Sequence, residues 1–532
     1  MKQILRFLTK YHVAILFCLI IGIFLFTRFY KLTEVPATIH QDEAVGVYDA
    51  FSLINTGKDH RGNPWPLSFQ AFEDWTSPLH TYISIPFVAT FGLNLFATRL
   101  PVVLFNLAGM VLLYFVAKKI SGNRYVGLFA MFAFVCSMQN LIASRFAIPP
   151  NFQLPLLLTM LLSAVSLLMG DQRTKLKLTT LLFSGLLLIV AYPTAKVFVP
   201  MILFVFGFLY FFKRKPQSRR MLVIYVIASL LIMAVVYLPV LISPEIYNGR
   251  FNGISILPGS LSQIPNFILQ FGYRYVQYLA PEFAFGKGDL DSGFRMPEYT
   301  SMSSSLAIFF YLGMFILFIV SIGPIGKLKN LKLDIKLNQK VAIFILALTL
   351  LAPIPASLTE TINISVRNTH FFPFIIIVSS LGLFFLIQYL PKFLKYSLIA
   401  SIIGVIVIQF FFVSTNYYKF YNNLAPVSSK RNISLLIQTI IKEKKDTSKI
   451  YTNIKSIYQP YIIYAFQKNY SPSLLQDELN TTVVHIPNGA NFDYSVTGIN
   501  NLQFDVPEKI KNDKLCIKKV AFEYTYYVCD LF

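Results

Sequence analysis

The chain has 532 residues, of which 55% are hydrophobic and only 14% charged, and its mean hydropathy is +0.58. A soluble protein would carry about a quarter charged residues, so a soluble globular chain is excluded. Net charge is +22, but the bases fall in short runs between apolar segments. That is the pattern of cytoplasmic loops, so nucleic-acid binding is not expected.

Apolar runs long enough to cross a bilayer as helix recur near 12–30, 97–117, 124–142, 152–170, 176–195, 197–212, 221–242, 304–324, 340–352, 370–390 and 395–414. No small-residue cleavage site follows 12–30, so it reads as a retained first helix. With the N-terminus inside, the runs "KKISGNR" (118–124), "GDQRTKLK" (170–177), "KRKPQSRR" (213–220), "GKLKNLKLDIKLNQK" (326–340) and "PKFLK" (391–395) all face the cytoplasm. Residues 78–93, with His80 and Pro86, are short for a span, and counting them would turn those basic runs outward. They are therefore expected to be interfacial or re-entrant.

The tail from 415 is rich in Lys, Asn and Tyr, with alternating stretches such as "KIYTNI", "TTVVHI" and "KKVAFEYTYYV" that predict short strands. Cys516 and Cys529 flank a predicted hairpin, and an extracytoplasmic tail would permit a disulfide between them. The expectation is a mainly α, polytopic membrane protein of about 11–13 transmembrane helices. Residues 1–414 form the membrane domain, with a long first outer loop at 31–96 and a second at 243–303. Residues 415–532 form a small extracytoplasmic α/β domain.

Polar residues collect on the outer side. Loop 31–78 supplies Glu34, Asp42, Glu43, Asp49, Asp59, Glu73 and Asp74, in a chain with only 25 acidic residues. "SRFAIPPN" supplies Arg145, "AYPTAKVF" supplies Tyr192 and Lys196, and "TETINISVRNTH" supplies Arg367 and His370. A charge at membrane depth costs about 2.5–3.5 kcal/mol, so such residues tend to face a cavity and act there. The plainer reading has Arg145 and Lys196 snorkelling to headgroups. Three helix ends offering a cation toward one acidic loop favour a site. Cations hold an anionic lipid phosphate and stabilise it as it departs. A carboxylate takes the proton of a hydroxyl or amine acceptor. Together these describe transfer of a sugar from a polyprenyl-phosphate carrier. The alternative for Asp42 is a helix N-cap, with Glu43 in the first turn.

The block "HQDEAVGVYDAFSLINTGKDHRGNPWPLSFQAFEDWTSPLHTYISIPFVATFGLNLFATRLP" (40–101) resembles the first-loop region of the GT-C glycosyltransferases. The similarity is greatest to the bacterial branch akin to protein O-mannosyltransferases and the lipid A aminoarabinose transferase, glycosyltransferase family 39-like. "ASRFAIPPN", "AYPTAKVFVP" and "LAPIPASLTETINISVRNTHFFPF" (351–374) follow in the family's order. The resemblance implies an inverting membrane enzyme that takes a polyprenyl-phosphate sugar outside the cytoplasmic membrane and passes it to a protein, glycolipid or envelope polymer. Asp42 matches the catalytic base and Glu43 its support. Glu73 and Asp74 match a second acidic site for acceptor binding or base support, with His80 beside it. Arg145, Tyr192, Lys196 and Arg367 would hold the donor phosphate. The chain departs from the family in "DWTSPLH", which lacks a basic residue before Pro-Leu, in Pro149-Pro150, and in Lys196 where Arg is common.

No cofactor is required by this reading. Mg²⁺ or Mn²⁺ on Asp42, Glu43, Glu73 and Asp74 is the metal option, since both ions take oxygen ligands. The competing functions are a lipid-linked sugar flippase, or a non-catalytic envelope assembly protein. Inverted repeats, which mark many transporters, are not evident.

Overall fold

The structure, a computed structural model, describes residues 2–71, 74–211, 219–242, 254–286, 296, 299–323, 337–361, 364–443, 448–452, 460–482, 498–499, 502–503, 511, 516–521 and 524–530. Glu73, the Asp74 side chain, most of the basic runs at 213–220 and 326–340, and most of "TTVVHI" lie outside the described residues. Parts of the second outer loop do so as well.

In chain order the helices are α1 (Lys2–Phe29), α2 (Gln41–Thr56), α3 (Leu79–Phe91), α4 (Leu95–Ser121), α5 (Arg124–Val135), α6 (Met138–Ala143), α7 (Leu154–Leu168), α8 (Thr174–Ile189), α9 (Pro193–Phe211) and α10 (Arg219–Ile242). They continue with α11 (Ile264–Leu279), α12 (Ala307–Ile322), α13 (Gln339–Leu351), α14 (Phe372–Gln388), α15 (Lys392–Phe420), α16 (Ala425–Glu443), α17 (Pro460–Lys468) and α18 (Pro472–Thr482). The apolar runs expected to cross the membrane are largely helical, but 124–142 is broken between α5 and α6, and in 176–195 the helix α8 stops at Ile189, before α9 begins at Pro193. Among the described residues seven helices, including Leu95–Ser121, Pro193–Phe211 and Lys392–Asn423, are long and apolar enough to span on length and composition. The other four expected spans are α5, α8, α10 and α14. The 78–93 segment forms only the 13-residue α3, stopped at Gly92.

Two compact units divide the chain. The first comprises Met1–Tyr30, Val102–Arg145 and Pro150–Asn416, and holds most of the apolar helices. Asp171, in the α7–α8 turn, accepts from Lys119 Nζ at 2.7 Å and Lys177 Nζ at 2.9 Å, so the basic end of α4 meets that turn. Those two lysines hold the Asp171 carboxyl below the usual carboxylate range. The basic end of α4 and the basic start of α8 thus lie together at this turn.

Helices α12 and α14 of this unit cross at two glycines. A Cβ on Gly382 would lie 2.0 Å from the Phe309 carbonyl oxygen, and one on Gly313 would lie 2.2 Å from that of Val378. Small residues let membrane helices approach to backbone contact, where packing replaces the missing hydrophobic drive. Gly382→Ala is therefore expected to destabilise the protein by about 1–3 kcal/mol through overpacking against backbone. Gly404, with nothing within 4 Å, serves as control. Gly404→Ala should leave the melting temperature unchanged or raise it slightly. Equal melting temperatures for Gly382→Ala and wild type would refute the close crossing.

The second unit comprises Lys31–Pro101, Phe146–Pro149 and Tyr417–Phe532, so the first loop and the tail share it. Strands β1 (Phe69–Ala71) and β2 (Asp74–Thr76) pair antiparallel between α2 and α3. The tail contributes β3 (Ser448–Thr452), β4 (Gly498–Ile499), β5 (Leu502–Gln503), β6 (Cys516–Ala521) and β7 (Tyr524–Asp530), in sheet order β4-β5-β3-β7-β6. β3 runs parallel to β5, and β6 and β7 form the expected hairpin. Cys529 is disulfide-bonded, and Cys516 is its cross-strand partner in the register.

A common core explains this grouping. Ala44, Val45, Val47 and Tyr48 of α2 are buried together with Leu436, Ile437 and Ile440 of α16 and Tyr461 and Tyr464 of α17. Polar contacts fix the register of that packing. Tyr48 donates its hydroxyl to the Tyr470 carbonyl at 2.8 Å. Gln476 Nε2 donates to Ser52 Oγ, Thr56 Oγ1 and the Asp59 carbonyl at 3.1, 3.0 and 2.8 Å.

Candidate active site

The Asp-Glu pair stands in the first turn of α2. The N-cap is His40, not Asp42: His40 Nδ1 accepts from the Asp42 backbone N–H at 3.2 Å, and Glu43 Oε2 accepts from the His40 N–H at 2.9 Å. This reciprocal capping box satisfies two otherwise orphaned donors of the helix. Asp42 Oδ2 lies 3.8 Å from His40 Nδ1, but a nitrogen that accepts a hydrogen bond carries no proton, so this is no ion pair.

The two carboxylates differ sharply in surroundings. The Glu43 side chain is fully buried, whereas that of Asp42 is 38% exposed. Glu43 Oε1 accepts from the Ala147 N–H at 2.9 Å and faces Arg99 Nε at 3.4 Å; Oε2 faces Arg99 Nη2, also at 3.4 Å. All four acceptor positions of Glu43 therefore meet N–H groups. Its charge is matched by Arg99, which relieves the repulsion expected of adjacent carboxylates. With its lone pairs so occupied, Glu43 is poorly placed to share a metal ion with Asp42. Among the described residues, no group of three or more His, Cys, Asp or Glu is placed to hold one.

Arg99, from "RLP" in α4, was not among the sequence candidates, and it is fully buried. Its Nη1 donates to the carbonyls of Leu32 and Pro36 at 2.8 and 2.7 Å, and its Nη2 to that of Thr38 at 2.8 Å. Asn422 clamps the same stretch, donating to the Glu34 carbonyl at 2.8 Å and accepting from the Ala37 N–H at 2.9 Å. Residues 32–43 are thus held rigidly, with the Asp42 carboxylate left accessible at their end.

His80 packs its imidazole on α2 at Gly46, and Nδ1 lies 3.2 Å from the Ser77 carbonyl oxygen. A Cβ on Gly46 would fall 1.8 Å from His80 Nε2, so only glycine accommodates the ring. Gly46→Ala is expected to cost about 1–3 kcal/mol by overpacking. The double variant Gly46→Ala/His80→Ala should recover much of that loss, a non-additivity that melting temperatures would read. Strict additivity would refute the contact.

Two other acids of the loop, Asp49 and Asp59, serve the backbone. Asp49 Oδ1 meets both His60 N and His60 Nδ1, at 2.9 and 2.7 Å, in a fully buried pair. Asp59 Oδ1 accepts from the N–H groups of Arg61 and Asn63, closing a turn. Burial, reinforced by Asp49, pushes the Asp59 carboxyl above its ordinary range. Asp74 begins β2.

The candidate cations belong to the helical unit. Arg145 is fully buried, and its Nη1 donates to the carbonyls of Thr27, Arg28 and Tyr30 at 3.2, 2.6 and 2.9 Å. That nitrogen caps the C-terminus of α1, where orphan carbonyls need donors. Tyr192 and Lys196, at the start of α9, are half-buried. Tyr237 donates its hydroxyl to the Lys196 carbonyl at 2.9 Å. Arg367 is also half-buried, in the short turn Ser365–Asn368, and its Nη1 is buried with no hydrogen-bond partner among the described residues.

No family model matches the sequence, and no curated protein does so. Solved structures match in fold. ArnT from Cupriavidus metallidurans bound to undecaprenyl phosphate superposes with a TM-score of 0.57 at 10% identity, covering 97% of both chains. The same protein in the apo state gives 0.51 at 11% identity, covering 98% of both. The archaeal oligosaccharyltransferase AglB from Archaeoglobus fulgidus, in complex with an inhibitory peptide and a dolichol-phosphate, gives 0.50 at 12% identity. That match covers 82% of this chain but only 59% of AglB, so the chain spans less than two thirds of the archaeal protein.

Proposed function

We propose that this chain, a multi-pass membrane protein with the GT-C fold, is a glycosyltransferase that takes its sugar from a polyprenyl-phosphate carrier. The observation that carries the proposal is the asymmetry of the acid pair. Asp42 is accessible at a rigidly held helix start, while Glu43 beside it is buried and neutralised by Arg99. The fold is shared with ArnT bound to undecaprenyl phosphate, which supports a lipid phosphate as the carrier.

In this reading Asp42 is the general base. It takes the proton from the acceptor hydroxyl or amine as that atom bonds to the anomeric carbon. The bond from the anomeric carbon to the phosphate oxygen breaks at the opposite face, so configuration inverts. The electron pair leaves on the polyprenyl phosphate. Arg367, with a donor unmatched among the described residues, is best suited to receive that charge, joined by Lys196 and Tyr192. Arg145 acts chiefly by securing α1. Glu43 orients Asp42 through the capping box. Glu73, Asp74 and His80 are assigned to the acceptor side, and no metal is required.

The acceptor is an extracytoplasmic protein, glycolipid or envelope polymer. The protein would lie in the cytoplasmic membrane with its N-terminus inside and its active site and tail outside, in contact with membrane lipids. The test offers a panel of polyprenyl-phosphate sugars, with a crude envelope acceptor extract, to proteoliposomes of the full chain. Acceptor-dependent release of polyprenyl phosphate is expected for at least one donor. Movement of the lipid-linked sugar between leaflets without release would instead establish a flippase.

A further inference from the structure

In the helical unit a cavity of about 30 Å³ is lined by Asn106, Gln139, Asn140, Asn151, Gln153 and His370. Apart from Thr369, the remaining wall is apolar, and among the described residues no Asp, Glu, Lys or Arg lines it. All six of the named side chains are buried. Five amides and an imidazole in the interior of a membrane unit call for an explanation, because buried polar groups there are costly and usually functional.

Their hydrogen bonds show what the cavity wants. Gln153 Nε2 donates to the Pro150 carbonyl at 3.1 Å and to Thr369 Oγ1 at 2.9 Å. A carbonyl can only accept, so the amide orientation is settled and Oε1 is an acceptor. That oxygen is buried and has no partner among the described residues. His370 lies 2.9 Å from the Ala352 carbonyl through Nε2 and stacks on Phe198 with ring centroids 4.5 Å apart. The proton is therefore on Nε2, and Nδ1 is a bare acceptor, also buried and without a partner. Gln139 Oε1 is a third such atom. An unmatched buried acceptor costs about 1–3 kcal/mol, so three around one cavity mark the place of a ligand with hydrogen-bond donors.

Charge and size narrow that ligand. An ammonium group would call for a carboxylate and a carboxylate for a cation, and the lining has neither. The volume admits one or two water-sized groups, not a whole pyranose. We infer that this cavity is a subsite for a neutral hydroxyl-bearing corner of a sugar, of the size of a hydroxymethyl group or one ring hydroxyl. The inference rests on the transferase reading and sharpens it, because it requires the sugar to present a neutral hydroxyl, not an amine or a carboxylate, at this corner. The shared chemistry is a sugar hydroxyl, presented by the donor or by a glycan acceptor.

The test is binding without turnover, on the full chain in nanodiscs with no acceptor extract. The probes are undecaprenyl phosphate, an undecaprenyl-phosphate hexose, its monodeoxy counterparts, and the free methyl hexosides. Wild type is compared with Gln153→Met and His370→Phe, which keep bulk and remove an acceptor. One monodeoxy donor is expected to bind about tenfold more weakly than the hexose donor, the worth of one well-made hydrogen bond. Both variants should lose that discrimination while binding plain undecaprenyl phosphate as wild type does. The same discrimination seen only among methyl hexosides would assign the cavity to the acceptor. Equal binding of all hydroxylated and deoxy probes, by wild type and variants alike, would overturn the inference. Should no polyprenyl phosphate bind, the transferase reading fails, and the methyl hexosides alone decide the cavity.

Discussion

Asp42→Asn is expected to abolish turnover while leaving the protein folded. Removing a positioned general base costs typically about 10²–10⁴-fold in rate. The side chain is partly exposed, and the capping box at the start of α2 is built from His40 and Glu43, so the amide should fit without strain. Polyprenyl phosphate release would fall to background, and the melting temperature would stay within a degree or two of wild type, a shift of about 0.5 kcal/mol or less for a surface substitution. Release at the wild-type rate would remove Asp42 from the chemistry. A collapse in melting temperature would show instead that Asp42 is structural, and that the accessible carboxylate has been misassigned.

Arg99→Met should have the opposite profile, a large loss of stability. The substitution leaves the Glu43 carboxylate buried without its counter-charge, and removes the donors of the Leu32, Pro36 and Thr38 carbonyls. Breaking a buried pair from one side costs about 3–5 kcal/mol, because an uncompensated charge remains. Glu43→Gln in the same background should restore part of the loss, since a neutral amide needs no counter-ion. The double-variant cycle read by melting temperature would give a coupling of about 1–3 kcal/mol. A coupling near zero would mean that Arg99 and Glu43 act independently, and that the rigid 32–43 segment has another support.

These two substitutions separate roles that look alike in the sequence. Asp42 and Glu43 are neighbours of the same charge type, and nothing local distinguishes them. The difference arises from Arg99, which lies 56 positions beyond Glu43, and from the Ala147 N–H, which lies 104 beyond it. Arg99 sits at the start of an apolar run and reads there as one more snorkelling cation. Its place in "RLP", inside the block that resembles the GT-C first loop, was the available signal. Arg145 shows the reverse case: it is a conspicuous cation by sequence, yet one of its nitrogens is engaged with three carbonyls of α1. The amides of the small cavity escape a search guided by charge, because Asn106, Gln139 and Gln153 are neutral residues in apolar surroundings. Only the unmatched acceptors of Gln139 and Gln153 single the cavity out.

By itself the sequence determined that this is a polytopic membrane protein, roughly where its long apolar helices lie, and which loops are basic. Transfer of a helix from water to lipid depends on the composition of some twenty consecutive residues, and that information is local. The tertiary structure decided which carboxylate is buried and which is accessible, which arginine is engaged with backbone carbonyls, and that the first loop and the tail share one core. Those outcomes depend on burial and on hydrogen-bond partners supplied by distant segments. A side chain's role is settled by what it meets after folding, and residues 44–48 of α2 meet residues 433–479 only in three dimensions.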